Sequence, residues 1–202
     1  MMKKCTLWVA ALVLLLALVL ASCGGEQGGG GGQGGGGSQT TAAKKATTET
    51  TTAHKKVPIG VTKSYSNLSR DHTKEPVDYP QSPPVGGPHN PIWQNCGFYS
   101  QPVRNEYAVH SMEHGAVWIT YAPDLPKDQV ETLRDIAHRN SYVLVSPYSD
   151  LPSQVVASAW GKQLRLNSAD DPRLEQFVRA YQQGPQNPEP GAPCNGGVGS
   201  PE

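Results

Sequence analysis

Residues 116–121 read Ala-Val-Trp-Ile-Thr-Tyr, and this short run decides the fold. It is β-branched and aromatic, with no glycine or proline, which predicts a strand. Downstream, Pro126 stands where a first helical turn tolerates it. Val130, Leu133, Ile136 and Ala137 then recur at helical spacing before His138-Arg139-Asn140 closes the segment. Tyr142–Val145 predicts a second, buried strand ending at Pro147. Gln154–Trp160 (QVVASAW) predicts a third, and the pattern leaves open a continuation through Leu164 and Leu166 beyond Gly161. Asp171-Pro172 opens a last helix with Leu174, Phe177, Val178 and Tyr181 on one face, stopped by Gly184-Pro185. The order βαββα, with two amphipathic helices on one face of a small mixed sheet, predicts an α+β two-layer sandwich.

Upstream of the deciding strand, as far as Val103, the chain is punctuated by Pro76, Pro80, Pro83-Pro84, Gly86-Gly87-Pro88 and Pro91. Each X-Pro disfavours helix in the residue before it, so a long Pro/Gly-rich wrapping loop is expected. A loop of that length in a compact domain is usually functional or pinned in place.

Further out, the character of the chain changes. Of its 202 residues, 22 are glycine, and eleven of these crowd between Gly24 and Gly37, while the first of 18 prolines is Pro58. Residues 24–56 contain no aromatic residue and no Leu, Ile, Val or Met, so they cannot bury enough apolar surface to offset their ordering entropy. Before them, Lys3-Lys4, an apolar run from Leu7 to Ala21 and Leu20-Ala21-Ser22-Cys23 form an export signal too short for a membrane span. That ending resembles the lipobox of bacterial lipoproteins, which implies lipid on Cys23. The expected organisation is a signal peptide at 1–22, a lipid-anchored Gly/Thr-rich linker at 23–56 and a single α+β domain at 57–202. The expected partner is the membrane, through the lipid on Cys23, on the extracytoplasmic side. The domain carries 11 basic and 15 acidic side chains, which argues against nucleic acid, and a monomer is expected.

Once Cys5 leaves with the signal and Cys23 takes the lipid, Cys96 and Cys194 remain as an even pair in an exported chain. A disulfide between them is expected.

The concentrated chemistry is Glu106-Tyr-Ala-Val-His110-Ser-Met-Glu113-His114-Gly115. On a helix, His110 and His114 lie one turn apart on the same face, whereas on a strand they stand about 13 Å apart. Gly115, directly before the AVWITY strand, suits a helix C-terminus, so a short helix over 105–114 is expected. Three readings stand. The first is a zinc or copper site of His110, His114 and His89, with Glu106 or Glu113 as a further ligand or orienter. The second makes the histidines structural, bonded to carbonyls of the Pro-rich loop in a non-catalytic envelope interaction domain. The third is a metal-dependent hydrolase using Glu113, because H-S-M-E-H fits the H-x-x-E-H string of inverzincin metalloproteases, with Glu175 as the helical candidate for a distant ligand. His72 and His138 look bland, and Trp93, Trp118 and Trp160 read as core. No phosphate-binding loop or dinucleotide fingerprint is present.

The strings S-P-P-V-G-G-P-H (82–89), E-Y-A-V-H-S-M-E-H-G (106–115), Y-A-P-D-L-P (121–126), S-P-Y (146–148), A-W-G (159–161) and G-P-Q-N-P-E-P (184–190) carry a resemblance. From Val57 to Gly197 the chain resembles an uncharacterised bacterial domain-of-unknown-function family, number three-one-zero-five. The resemblance implies that His89, His110, Glu113 and His114 belong to the family's recurring strings. It implies no activity.

Overall fold

A computed structural model describes residues 61–202. The expected signal, Cys23 and the linker lie outside the described residues. The elements are β1 (Lys63–Ser64), β2 (Gly97–Phe98), α1 (Asn105–Glu113), β3 (Val117–Tyr121), α2 (Lys127–Arg139), β4 (Val143–Pro147), β5 (Val155–Ala159), β6 (Lys162–Leu166) and α3 (Pro172–Tyr181). The six strands make one mixed sheet in the order β1-β6-β5-β3-β4-β2, parallel among β2, β4 and β3 and antiparallel from β3 outward to β1. The architecture is α+β, as the patterning predicts. Among the described residues no helix is long and apolar enough to cross a membrane.

The AVWITY run is the middle of this sheet. β3 pairs with β4 on one side and β5 on the other, and all five of its residues are buried. Alternation along a strand sends successive side chains to opposite faces. Val117, Ile119 and Tyr121 join Val143, Val145, Val155, Ala157, Leu164 and Leu166 in one apolar cluster. Leu133, Ile136 and Ala137 of α2 and Leu174, Phe177 and Val178 of α3 close that cluster from outside. Asp171 caps α3 by accepting the Arg173 amide at 2.9 Å, and Pro172 occupies the first turn, where its missing N–H costs nothing.

The even-numbered side of β3 meets different neighbours. Trp118 packs with Leu144, Trp160 and Tyr99 and with Ala108, Val109 and Met112 of α1. Buried polar groups share this side and hydrogen-bond within it, Gln163 Oε1 alone among these side chains staying unpaired. Trp118 Nε1 donates to Ser146 Oγ at 3.0 Å, Thr120 Oγ1 to the Val156 carbonyl at 3.1 Å, and Gln163 Nε2 to the Pro83 carbonyl at 3.0 Å. The Pro-rich loop and α1 thus cover the face that α2 and α3 leave free.

Two details go beyond what the sequence pattern specifies. The strand predicted at 154–160 does not run on through Leu166. It turns back at Trp160-Gly161, so β5 and β6 form an antiparallel hairpin. Gly161 has φ +67°, a left-handed geometry that suits glycine, and a Cβ there would stand 2.8 Å from the Tyr65 carbonyl. The wrapping loop also contributes two short strands to the sheet edges, β1 and β2, whose two-residue lengths leave no periodic signal.

Candidate metal centre

α1 is a short helix buried on nearly all sides, because it lies between the sheet and the Pro-rich loop. Ala108, Val109 and Met112 face the sheet. His110, Glu113 and His114 point the other way, into a layer of polar contacts with the loop and with the chain after α3. Gly115 follows with φ +103°, which turns the chain from helix into β3.

Two strips of loop bring the remaining donors to this helix. Residues 71–73 pair with His89 through Thr73 N to the His89 carbonyl (2.7 Å) and His89 N to the Asp71 carbonyl (3.0 Å), forming an isolated parallel bridge between His72 and His89. The bridge puts the two rings 4.9 Å apart. Gly86, at φ +139°, admits no side chain, since a Cβ there would meet Leu68 at 2.8 Å and the Trp160 ring at 3.3 Å. This close approach seats the Gly-Gly-Pro-His turn over the sheet.

The result is one set of four ligand-capable side chains, His72, His89, His110 and Glu113, whose donor atoms all lie within 4.8 Å of one another. His89, His110 and Glu113 are buried, while the His72 side chain is 46% exposed and forms the open edge. A second set, His110, His114 and Glu189, meets the same distance condition. The sequence-predicted trio is therefore divided. His89 joins His110, and His114 joins His110, but His89 and His114 fall in different sets. His72, which looks bland in the sequence, belongs with His89. Of the two carboxylates considered, Glu113 is in the site. Glu106 instead accepts the Val77 amide at 3.2 Å and pairs with Arg104 at 3.5 Å.

The hydrogen bonds fix which nitrogen faces the cluster. His89 Nδ1–H donates to the Gly87 carbonyl at 2.8 Å, His110 Nδ1–H to the Asn90 carbonyl at 2.6 Å and His114 Nδ1–H to the Pro193 carbonyl at 2.7 Å. A carbonyl only accepts, so each Nδ1 carries the proton and each Nε2 is left as the ligand atom. Metal-bound histidines are oriented by this kind of outer bond. At His89, Nε2 stands 2.8 Å from Glu113 Oε2. Two ligands each about 2 Å from a shared ion stand roughly 2.8–3.4 Å apart. A positive charge belongs between this nitrogen and this carboxylate, whether a proton or an ion held by both.

Electrostatics follow burial. Burial pushes the His110 imidazole down to about 4; the Asn90 bond opposes the fall, and His114, His89 and His72 add to it. At neutral pH its Nε2 therefore offers a lone pair. Burial raises the Glu113 carboxyl, but the His89 hydrogen bond and the pull of His89, His110 and His72 outweigh it and hold the group below its ordinary value.

Trp93 is half-buried rather than core. Its ring lies 4.8 Å from His114 and 5.7 Å from His110, as a wall over the cluster. Cys96 and Cys194 sit with their sulfurs at bonding distance and their Cα atoms 5.4 Å apart, holding the segment after α3 against the loop beside Trp93. Ser111 Oγ donates to the Gln94 carbonyl at 2.6 Å, a structural contact. Glu175 lies on α3, paired with Arg179 and Arg139 on the far side of the sheet, and cannot serve as a third protease-type ligand.

The chain belongs to a family described as protein of unknown function (DUF3105), whose model matches residues 71–196. The matched span contains every residue of both donor sets. No curated protein and no solved structure matches the chain.

Proposed function

We propose that this protein is a lipid-anchored, extracytoplasmic metal-binding module that holds zinc or copper through His72, His89, His110 and Glu113. The observation that carries the reading is the convergence of these four donors with Nδ1 of His89 and His110 turned to backbone carbonyls. Three imidazoles and a carboxylate suit zinc or copper, and the half-exposed His72 gives the ion a way in. The anchoring part rests on Leu20-Ala21-Ser22-Cys23, the glycine-rich segment behind it and the Cys96–Cys194 pair, which suits an oxidising compartment.

Structural histidines are the competing reading. The Nδ1 bonds fit both, but packing alone does not call for a carboxylate and three Nε2 atoms in one place. Titration of the purified chain with zinc(II) and copper(II), read by elemental analysis and calorimetry, separates the two. Tight binding that falls on His89→Gln supports the metal module, and absence of binding to the wild-type chain removes it. In cells, incorporation of a labelled fatty acid that disappears on Cys23→Ala tests the anchor.

A further inference from the structure

The two donor sets share His110, and this sharing limits what the site can hold. His110 has one nitrogen to give, because its Nδ1–H is committed to Asn90 at 2.6 Å. An ion in the four-donor set and an ion with His114 and Glu189 would both need the same Nε2. The second set is nevertheless a formed arrangement. His114 Nε2 and Glu189 Oε2 are 3.4 Å apart, within the spacing expected for neighbouring ligands of one ion. The His110 and His114 rings are 4.5 Å apart and nearly perpendicular. Glu189 is brought there by its own backbone, whose amide donates to the Glu113 carbonyl at 3.2 Å in the last turn of α1. Its side chain is 50% exposed, so this set reaches solvent from a different residue than His72.

We infer that His110, His114 and Glu189 form a second, alternate seat for the same imidazole-preferring divalent ion, that the protein holds one ion at a time, and that the ion passes between the seats by exchanging its other ligands while His110 stays bound. This rests on the metal-binding function proposed above. The chain then offers a continuous row of donors from half-exposed His72, through buried Glu113, His89, His110 and His114, to half-exposed Glu189. Such a row suits receiving an ion at one end and yielding it at the other.

The test is competitive titration of the full chain with zinc(II) against a chromophoric chelator. The wild type should bind a single ion. Glu113→Gln, which damages the four-donor seat, should still bind a single ion, roughly ten- to a hundredfold more weakly. Adding Glu189→Gln to Glu113→Gln should lower the affinity again by a similar factor, roughly ten- to a hundredfold, whereas Glu189→Gln alone should leave the wild-type affinity nearly unchanged. His72→Gln, at an exposed edge, replaces Glu113→Gln if the latter does not fold. Simultaneous binding of two ions by the wild type overturns the shared-ligand inference. So does a weakened variant that is indifferent to the loss of Glu189. Failure of the wild type to bind any ion overturns instead the function on which the inference rests.

Discussion

The two faces of the central sheet are built by different physics. On the face under α2 and α3, aliphatic and aromatic side chains fill the space, and no single contact decides the outcome. On the face under α1 and the Pro-rich loop, a smaller apolar cluster is joined by buried histidines, Glu113, Thr120, Ser146, Ser158 and Gln163. There each polar atom needs its own partner, because an unmet buried donor or acceptor costs free energy. One face is specified by periodicity and the other by individual bonds. The first should give the protein its stability and the second its chemistry.

The largest test of that division is Phe177→Ala on the helical face. It should cost about 3–5 kcal/mol in chemical denaturation by opening a cavity in the larger cluster, while zinc affinity of the folded variant stays at the wild-type value. Lost affinity would mean that the faces are coupled. Next is Cys194→Ser, which frees the segment carrying Glu189 and Pro193. With a sequence separation of 98 between the paired cysteines, the loss should be about 2–4 kcal/mol, and added reductant should bring the wild type down to the variant.

The metal-free protein should also lose stability in acid, and the loss should trace to the polar face. His110 has its imidazole lowered to about 4 in the fold against 6.5 for the free group, so the unfolded chain binds more protons between those values. Stability present above pH 6.5 therefore drains away as pH falls to about 4, by no more than about 3 kcal/mol. Glu113, lowered as well, acts in the same direction, its contribution being lost as pH falls through its folded value. Thermal melting from pH 8 to about 4 checks this, and His110→Gln should flatten the profile. The smallest effect belongs to Asp171→Ala, which removes the α3 cap and should cost about 1 kcal/mol by denaturation without touching ion binding.

The helical face is almost fully legible in the sequence, because helices of this kind announce themselves through Leu133, Ile136 and Ala137 or Leu174, Phe177 and Val178. α1 is also legible, through the spacing of His110 and His114 and the glycine behind them. The hairpin turn at Gly161 is marked only by glycine, and apolar residues on both sides of it read equally well as one long strand. The candidate centre is half legible. His89 and His110 stand out as histidines in unusual strings. His72 reaches them only through backbone pairing between two loop segments, and such pairing leaves no periodicity to detect. Glu189 is an exposed carboxylate in a Pro-rich stretch, and the one hint of its position is the nearby Cys194, paired with Cys96 beside Trp93.

β3 is a wall shared by two rooms. Its five consecutive residues are all buried, with odd positions lining the helical cluster and the even position Trp118 lining the α1 cluster. As long as that alternation is kept, substitutions can repack the helical layer without disturbing the histidine layer, and the histidine layer can change without repacking the helices. A saturation scan of residues 117–121 should therefore show a two-residue rhythm, with stability lost at one set of positions and zinc affinity at the other.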